Sequence, residues 1–153
     1  MTAPRAGPGV GGIDGVCGVG VDAVDVVRFR QVIARRPTIL GRLFTESERD
    51  YAHRSADPGP RLAVRFAAKE AVLKALGVGV GAAGFRDVEV IRADNGEPGL
   101  VLSGRAAAIS LGRGVRRWHV SLTHTDAIAI ATVVAEGWRD AEGSRDVDRE
   151  VTR

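Results

Sequence analysis

The apolar patterning of this 153-residue chain predicts an α+β domain with a mainly antiparallel sheet. Three observations carry the prediction. Strand-like runs come as neighbours near the C-terminal side and do not alternate with helices. The segment DNGEP at 94–98 is a turn between two such runs, and three helical stretches are gathered between residues 25 and 77. The resulting order is β-α-α-α-β-β-α-β-β.

Residues 1–14 are rich in Gly and Pro and read as a flexible lead-in. Residues 16–21 (VCGVGV) are apolar and partly β-branched, as a buried strand should be, and they end at Asp22. Gly18 and Gly20 do not make a dinucleotide loop: the sixth position of G-x-G-x-x-G is Ala23, and the glycines lie inside the strand. Asp22 is thus a carboxylate at a strand end, readable as a helix N-cap or as a metal ligand. Residues 25–35 (DVVRFRQVIAR) form an amphipathic helix with Val26, Phe29, Val32 and Ile33 inward and Arg28, Arg30 and Arg35 outward. Pro37 stops it. Thr45 and Glu48 then frame a capping box for the helix TESERDYAHR, and SADPGP at 55–60 is a loop.

The helix at 61–77 (RLAVRFAAKEAVLKALG) is built from strong helix formers, with Pro60 before it and Gly77 to end it. Leu62, Phe66, Leu73 and Leu76 make an apolar stripe that has Lys69 inside it. Glu70 and Lys74 lie four apart on an adjacent face, beside Ala63, Ala67 and Ala71. One reading of that face is an exposed ion pair worth about 0.2–0.5 kcal/mol. The other is that the alanines leave room for a ligand to approach, with a carboxylate for a cation and Lys and Arg for phosphate.

The glycine-rich run at 77–84 lacks a P-loop Lys-Ser/Thr and reads as a connector or flap. Residues 85–93 and 100–102 are the arms of a hairpin, 104–111 a short helix, and 118–123 and 127–134 two further strands joined around His124, Thr125 and Asp126. From residue 137 the chain is charged and aperiodic, a tail expected to be disordered.

Aromatic residues are 5% of the chain, so the core must be largely aliphatic. A net charge of +3 with arginines spread along the sequence argues against a nucleic-acid binder and suits an anionic small molecule or an acidic protein partner. A single cysteine, Cys17, excludes an internal disulfide and reads as a buried strand residue. No apolar run approaches the roughly 20 residues of a membrane span or forms a signal-peptide core, so the expectation is a cytoplasmic protein.

Taken together, Asp22, Glu70, Lys74 and His124 suggest a site. Two carboxylates without His or Cys companions favour Mg²⁺ with phosphate oxygens as further ligands. His124 reads as a ligand contact, a proton carrier or a turn residue. The stretches GVGVDAVDVVRF (18–29), LFTESERDYA (43–52), RFAAKEAVLKALG (65–77), NGEP (95–98) and SLTHTDAIAIATVV (121–134) make the sequence resemble the holo-acyl-carrier-protein synthase family, the small trimeric type of 4′-phosphopantetheinyl transferase. The resemblance spans about residues 16–136 and implies that family's fold, in a domain over 15–136.

It implies transfer of phosphopantetheine from coenzyme A to a serine of an apo acyl carrier protein, releasing 3′,5′-ADP. Asp22 and Glu70 match the Mg²⁺ ligands, and with Lys74 they make the catalytic set. Arg65, Lys69, His124 and Thr125 match or adjoin positions contacting coenzyme A, and Arg28 falls where the family meets the acidic carrier protein. A homotrimer with its sites between subunits is implied. The serine proton would go to a metal-bound water or to Glu70, and the carrier would be of fatty-acid or polyketide type. The chain departs from the pattern at Asp25, where many relatives have Glu, and at Val64, where some have Gly. Its 53–60 loop is less basic than relatives often are, which leaves the 3′-phosphate contacts unassigned.

Overall fold

The computed structural model describes residues 12–140. The first strand, β1 (Gly12–Asp25), leads into α1 (Val26–Arg35), a one-turn helix α2 (Leu40–Leu43), α3 (Glu46–His53) and the long α4 (Gly59–Ala75). A hairpin of β2 (Val88–Arg92) and β3 (Pro98–Leu102) follows, then α5 (Gly104–Gly112), β4 (Val115–His124) and β5 (Ile128–Asp140). The first and last strands pair, giving an antiparallel sheet of order β1-β5-β4, with the β2–β3 hairpin as a second sheet.

α4 lies across the inner face of the larger sheet, and its contact with β1 explains two sequence features at once. A Cβ on Gly20 would stand 1.8 Å from the Ala71 carbonyl oxygen, and one on Gly18 would stand 2.1 Å from that of Ala75. Glycine on the strand and alanine on the helix are what allow so close an approach. Ala63, Ala67 and Ala71 are completely buried. The strand backbone takes the room at Ala71, and Ala63 and Ala67 are packed in the core, so the ligand-approach reading of that face is corrected.

α4 ends by a Schellman arrangement. Gly77 adopts φ 64°, its N–H donates to Lys74 O at 2.9 Å, and the Val78 N–H donates to Leu73 O at 3.0 Å. The α3 capping box is present as expected, with Glu48 N–H donating to Thr45 Oγ1 and Thr45 N–H donating to Glu48 Oε2. Cys17 is buried and its thiol donates to Ala135 O at 3.4 Å.

Three expectations change. Gly12 to Gly15 pair with Gly137 to Asp140, so the sheet continues beyond the expected 15–136 at both ends. Glycines and charges had hidden that ladder from apolar periodicity; the rest of both tails lies outside the described residues. The stretch at 85–93 opens with a 3₁₀ turn (Phe85–Asp87) before the strand begins. Val32, expected inward on α1, is 41% exposed and faces a cavity described below. No helix among the described residues is long and apolar enough to cross a membrane.

Candidate functional site

The close seating of β1 on α4 decides where Asp22 goes. It brings the end of the strand beside the fourth turn of the helix, where Lys74 Nζ donates to Asp22 Oδ1 at 2.7 Å and to Val21 O at 2.9 Å. Asp22 is not an N-cap. Asp25 fills that role on α1, accepting the Arg28 N–H at 2.8 Å. Glu70, one turn before Lys74, completes the group. Burial pushes its carboxyl pKa above the usual carboxylate range; the nearby Asp22 charge pushes it the same way and Lys74 opposes. The Asp22 effect means that the two carboxylates sense each other, as two ligands of one cation must.

Asp22 and Glu70 line a cavity of about 660 Å³ whose other wall is apolar, formed by Phe29, Phe66, Phe85 and Val80, with Arg28 at its edge. Three of these walls are a stack of rings: Phe29 to Phe66 at 5.7 Å and Phe66 to Phe85 at 5.3 Å between centroids.

A second cavity of about 340 Å³ is lined by Tyr51, Arg61, Arg65, Arg92 and His124, among others. Here cations converge. The Arg65 and Arg61 guanidinium carbons lie 4.2 and 5.0 Å from the Tyr51 ring centroid, and Arg92 Nη1 donates to the Tyr51 hydroxyl at 2.7 Å. Burial raises the Tyr51 pKa, but the Arg92 hydrogen bond and the charges of Arg92, Arg65 and Arg61 bring it below its usual value. Arg65 is 5% exposed and its Nε has no hydrogen-bond partner. A buried guanidinium with an unmet donor, among further cations, is built for an anion.

The expected site residues therefore separate into groups. Asp22, Glu70 and Arg28 line the first cavity, with Lys74 paired to Asp22 beside it, and Arg65 and His124 line the second. Lys69 belongs to neither. Its ammonium is fully buried, 2.8 Å from Glu48 Oε2, and also donates to the Phe85 and Val88 carbonyls. Burial lowers its pKa, and Glu48 counters this. The expectation that Lys69 contacts coenzyme A is corrected on this geometry, because its donors are already engaged inside the core.

Thr125 is also engaged. Its Oγ1 accepts the N–H groups of Ala127 and Ile128, closing the β4–β5 turn. Tyr51, Arg61 and Arg92 were not legible as site residues. Arg61 sits one turn before Arg65, a local signal that could have been used, whereas Tyr51 and Arg92 join the group only through the packing of α3 and β2 on α4.

The model of the 4′-phosphopantetheinyl transferase superfamily matches residues 18–133 of the chain. The chain belongs to that superfamily. It is 48% identical over 122 residues to a holo-[acyl-carrier-protein] synthase of Salinispora arenicola, covering 79% of this chain and 98% of that one. It is 49% identical over 121 residues to the corresponding protein of Frankia casuarinae, with coverage of 79% and 98%. Among solved structures, a holo-(acyl-carrier-protein) synthase from Bacillus anthracis in complex with CoA (3′,5′-ADP) is 32% identical, with a TM-score of 0.67 over 80% of this chain and 97% of that chain. The expected fold is thereby established, and the chain is a phosphopantetheinyl transferase.

The donors of the first cavity are of the kind that hold a hard divalent cation. Among the described residues Asp22 and Glu70 are joined by no further His, Cys, Asp or Glu that could make a metal cluster of three or more. A pair of hard oxygen donors beside a lysine suits Mg²⁺, which keeps waters and completes its shell with phosphate oxygens.

Proposed function

We propose that this protein is a Mg²⁺-dependent holo-[acyl-carrier-protein] synthase that modifies a fatty-acid-type carrier protein in the cytoplasm. The observation that carries the reading is that Asp22 and Glu70 line one cavity while Lys74 pairs with Asp22 beside it. The CoA (3′,5′-ADP) complex of the B. anthracis protein supports coenzyme A as the donor. The serine oxygen of the carrier attacks the phosphorus that bears pantetheine. The bond from that phosphorus to the bridging oxygen breaks, and 3′,5′-ADP leaves with the electron pair.

Asp22 and Glu70 would hold Mg²⁺, which supplies charge neutralisation on the pyrophosphate oxygens. Lys74, half-exposed and one turn from Glu70, reaches the leaving phosphate and neutralises it. The serine proton would go to Glu70 or to a water held with the cation. The apolar wall of Phe29, Phe66 and Phe85 accommodates the pantetheine arm, and Arg28 on α1 meets the acidic carrier. Arg61, Arg65, Arg92 and His124 hold the 3′-phosphate end of coenzyme A, supplementing a 53–60 loop that is less basic than relatives often have.

Both ends of one coenzyme A cannot readily be held by a single chain. Arg65 and Glu70 are five residues apart on α4, about 140° around the helix, and they line different cavities. A homotrimer resolves this if the phosphate end is held by one subunit and the metal end by the next. The exposed valines of β1, Val19 at 58% and Val21 at 50%, support burial of that sheet face between subunits.

The test is mass spectrometry of an apo acyl carrier protein incubated with the enzyme, coenzyme A and Mg²⁺. A phosphopantetheine mass gain that disappears with EDTA is expected. No gain on fatty-acid carriers, but gain on polyketide-type carriers, would correct the partner and leave the reaction intact.

A further inference from the structure

Among the described residues, the Glu48–Lys69 pair is the buried charge network that the proposed reaction leaves unused. Glu48 is 1% exposed and Lys69 is fully buried. Every donor and acceptor is engaged: Glu48 Oε2 takes the Thr45 N–H at 2.9 Å and the Lys69 ammonium at 2.8 Å, and Oε1 takes the Val90 N–H at 2.9 Å. Lys69 adds the Phe85 carbonyl at 3.0 Å and the Val88 carbonyl, with its ammonium 5.6 Å from the Phe44 ring centroid. Two charges removed from water seldom stabilise a fold more than a well-packed apolar pair of the same volume. Something other than stability therefore has to account for them.

What the pair holds is informative. Both carbonyls gripped by Lys69 belong to the 3₁₀ turn and first residue of β2, the segment by which the chain returns from the glycine-rich 77–84 run. The ring of Phe85 stacks on Phe66 of α4, and all three stacked rings line the cavity of Asp22 and Glu70. Lys69 is also the residue before Glu70. One network thus sets the rotation of α4 at Glu70 and the position of the wall opposite it.

We propose that Glu48 and Lys69 are positioning residues for the transfer reaction, locking the Phe85 turn against α4 so that the apolar wall and the Glu70 carboxylate keep a fixed separation. This rests on the function proposed above. Hydrogen bonds fix distance and direction where an apolar contact would let the turn slide.

The experiment replaces the pair by a charge-free one, Glu48→Gln together with Lys69→Met. It measures melting temperature, kcat and KM for coenzyme A, and the ¹⁹F spectrum of enzyme labelled at its four phenylalanines. The expected result is a melting temperature within a few degrees of the parent, kcat about tenfold lower with KM little changed, and shifted or broadened Phe66 and Phe85 resonances. A double variant with parental kcat overturns the inference. So does one that fails to fold, since the pair would then serve stability alone. A parent enzyme inactive on every apo carrier would instead overturn the reading on which the inference rests.

Discussion

The two cavities flanking α4 are opposites in chemistry. One presents the carboxylates of Asp22 and Glu70 against a wall of phenylalanines; the other presents three arginines and a histidine around a tyrosine. Both are served by the same helix, and side chains five positions apart on it look in different directions. On the function proposed above, the two cavities are half-sites for one long anionic ligand: the carboxylate half would stabilise charge that develops in the reaction, and the cationic half would bind charge that does not change. Substitutions in the first should lower kcat, and in the second should raise KM.

The largest effect should come from the carboxylates. Asp22→Ala and Glu70→Ala are each expected to lower kcat/KM by about 10³-fold, with circular dichroism unchanged; full activity in both would remove the metal assignment. Next comes the division of the site between chains. Glu70→Ala subunits mixed with Arg61→Ala/Arg65→Ala subunits should regain activity that neither has alone, because mixed trimers rebuild an intact pair of half-sites. No recovery after subunit exchange would mean that each chain works by itself.

Within the cationic half, Arg61→Ala or Arg92→Ala should raise KM for coenzyme A by about 10-fold, the scale of one charge-assisted hydrogen bond, and leave kcat within about twofold. With 3′-dephospho-coenzyme A the same variants should differ little from the parent. An equal loss on both donors would move the 3′-phosphate elsewhere.

The raised pKa of Glu70 makes two smaller predictions. Protons compete with the cation, so Mn²⁺ affinity followed by electron paramagnetic resonance should weaken with falling pH at a higher pH than for an ordinary carboxylate. In the metal-free enzyme Asp22→Asn should lower the Glu70 pKa followed by carboxyl NMR, because one of the two raising causes is gone. For stability the sign is the reverse of the usual carboxylate case. The folded state holds the Glu70 proton more tightly than the unfolded state, so metal-free stability falls as pH rises from the unfolded to the folded pKa. Glu70→Gln should therefore melt about 1–3 °C above the parent at neutral pH without metal, a small gain because the group is partly exposed and screened.

Legibility differed by the kind of evidence each feature left in the chain. Helices and caps were readable because their signals are local: Thr45 with Glu48, Pro37, and Gly77 after a helical run. The grouping of Asp22, Glu70 and Lys74 was readable because Glu70 and Lys74 share a helix turn and Asp22 ends an apolar strand. Lys69 was misread for the same reason that made its neighbours clear. Its spacing put it in the apolar stripe, but only the arrival of Glu48 and β2 makes that position tolerable for an ammonium group. Val32 failed similarly, since an inward face on an isolated helix can open on a cavity once the other elements are in place.

The sequence by itself determined the α+β class and the element order apart from the one-turn α2, because these depend on periodicity and capping within short stretches. The tertiary structure alone decided which side of α4 each charge faces, that Tyr51 and Arg92 join Arg65, that Lys69 is an architectural cation, and that Gly12–Gly15 continues the sheet against the end of β5. Those outcomes depend on contacts between residues tens of positions apart, whose partners no local pattern names. Burial then sets the energy of each charge, and burial is a property of the packed chain.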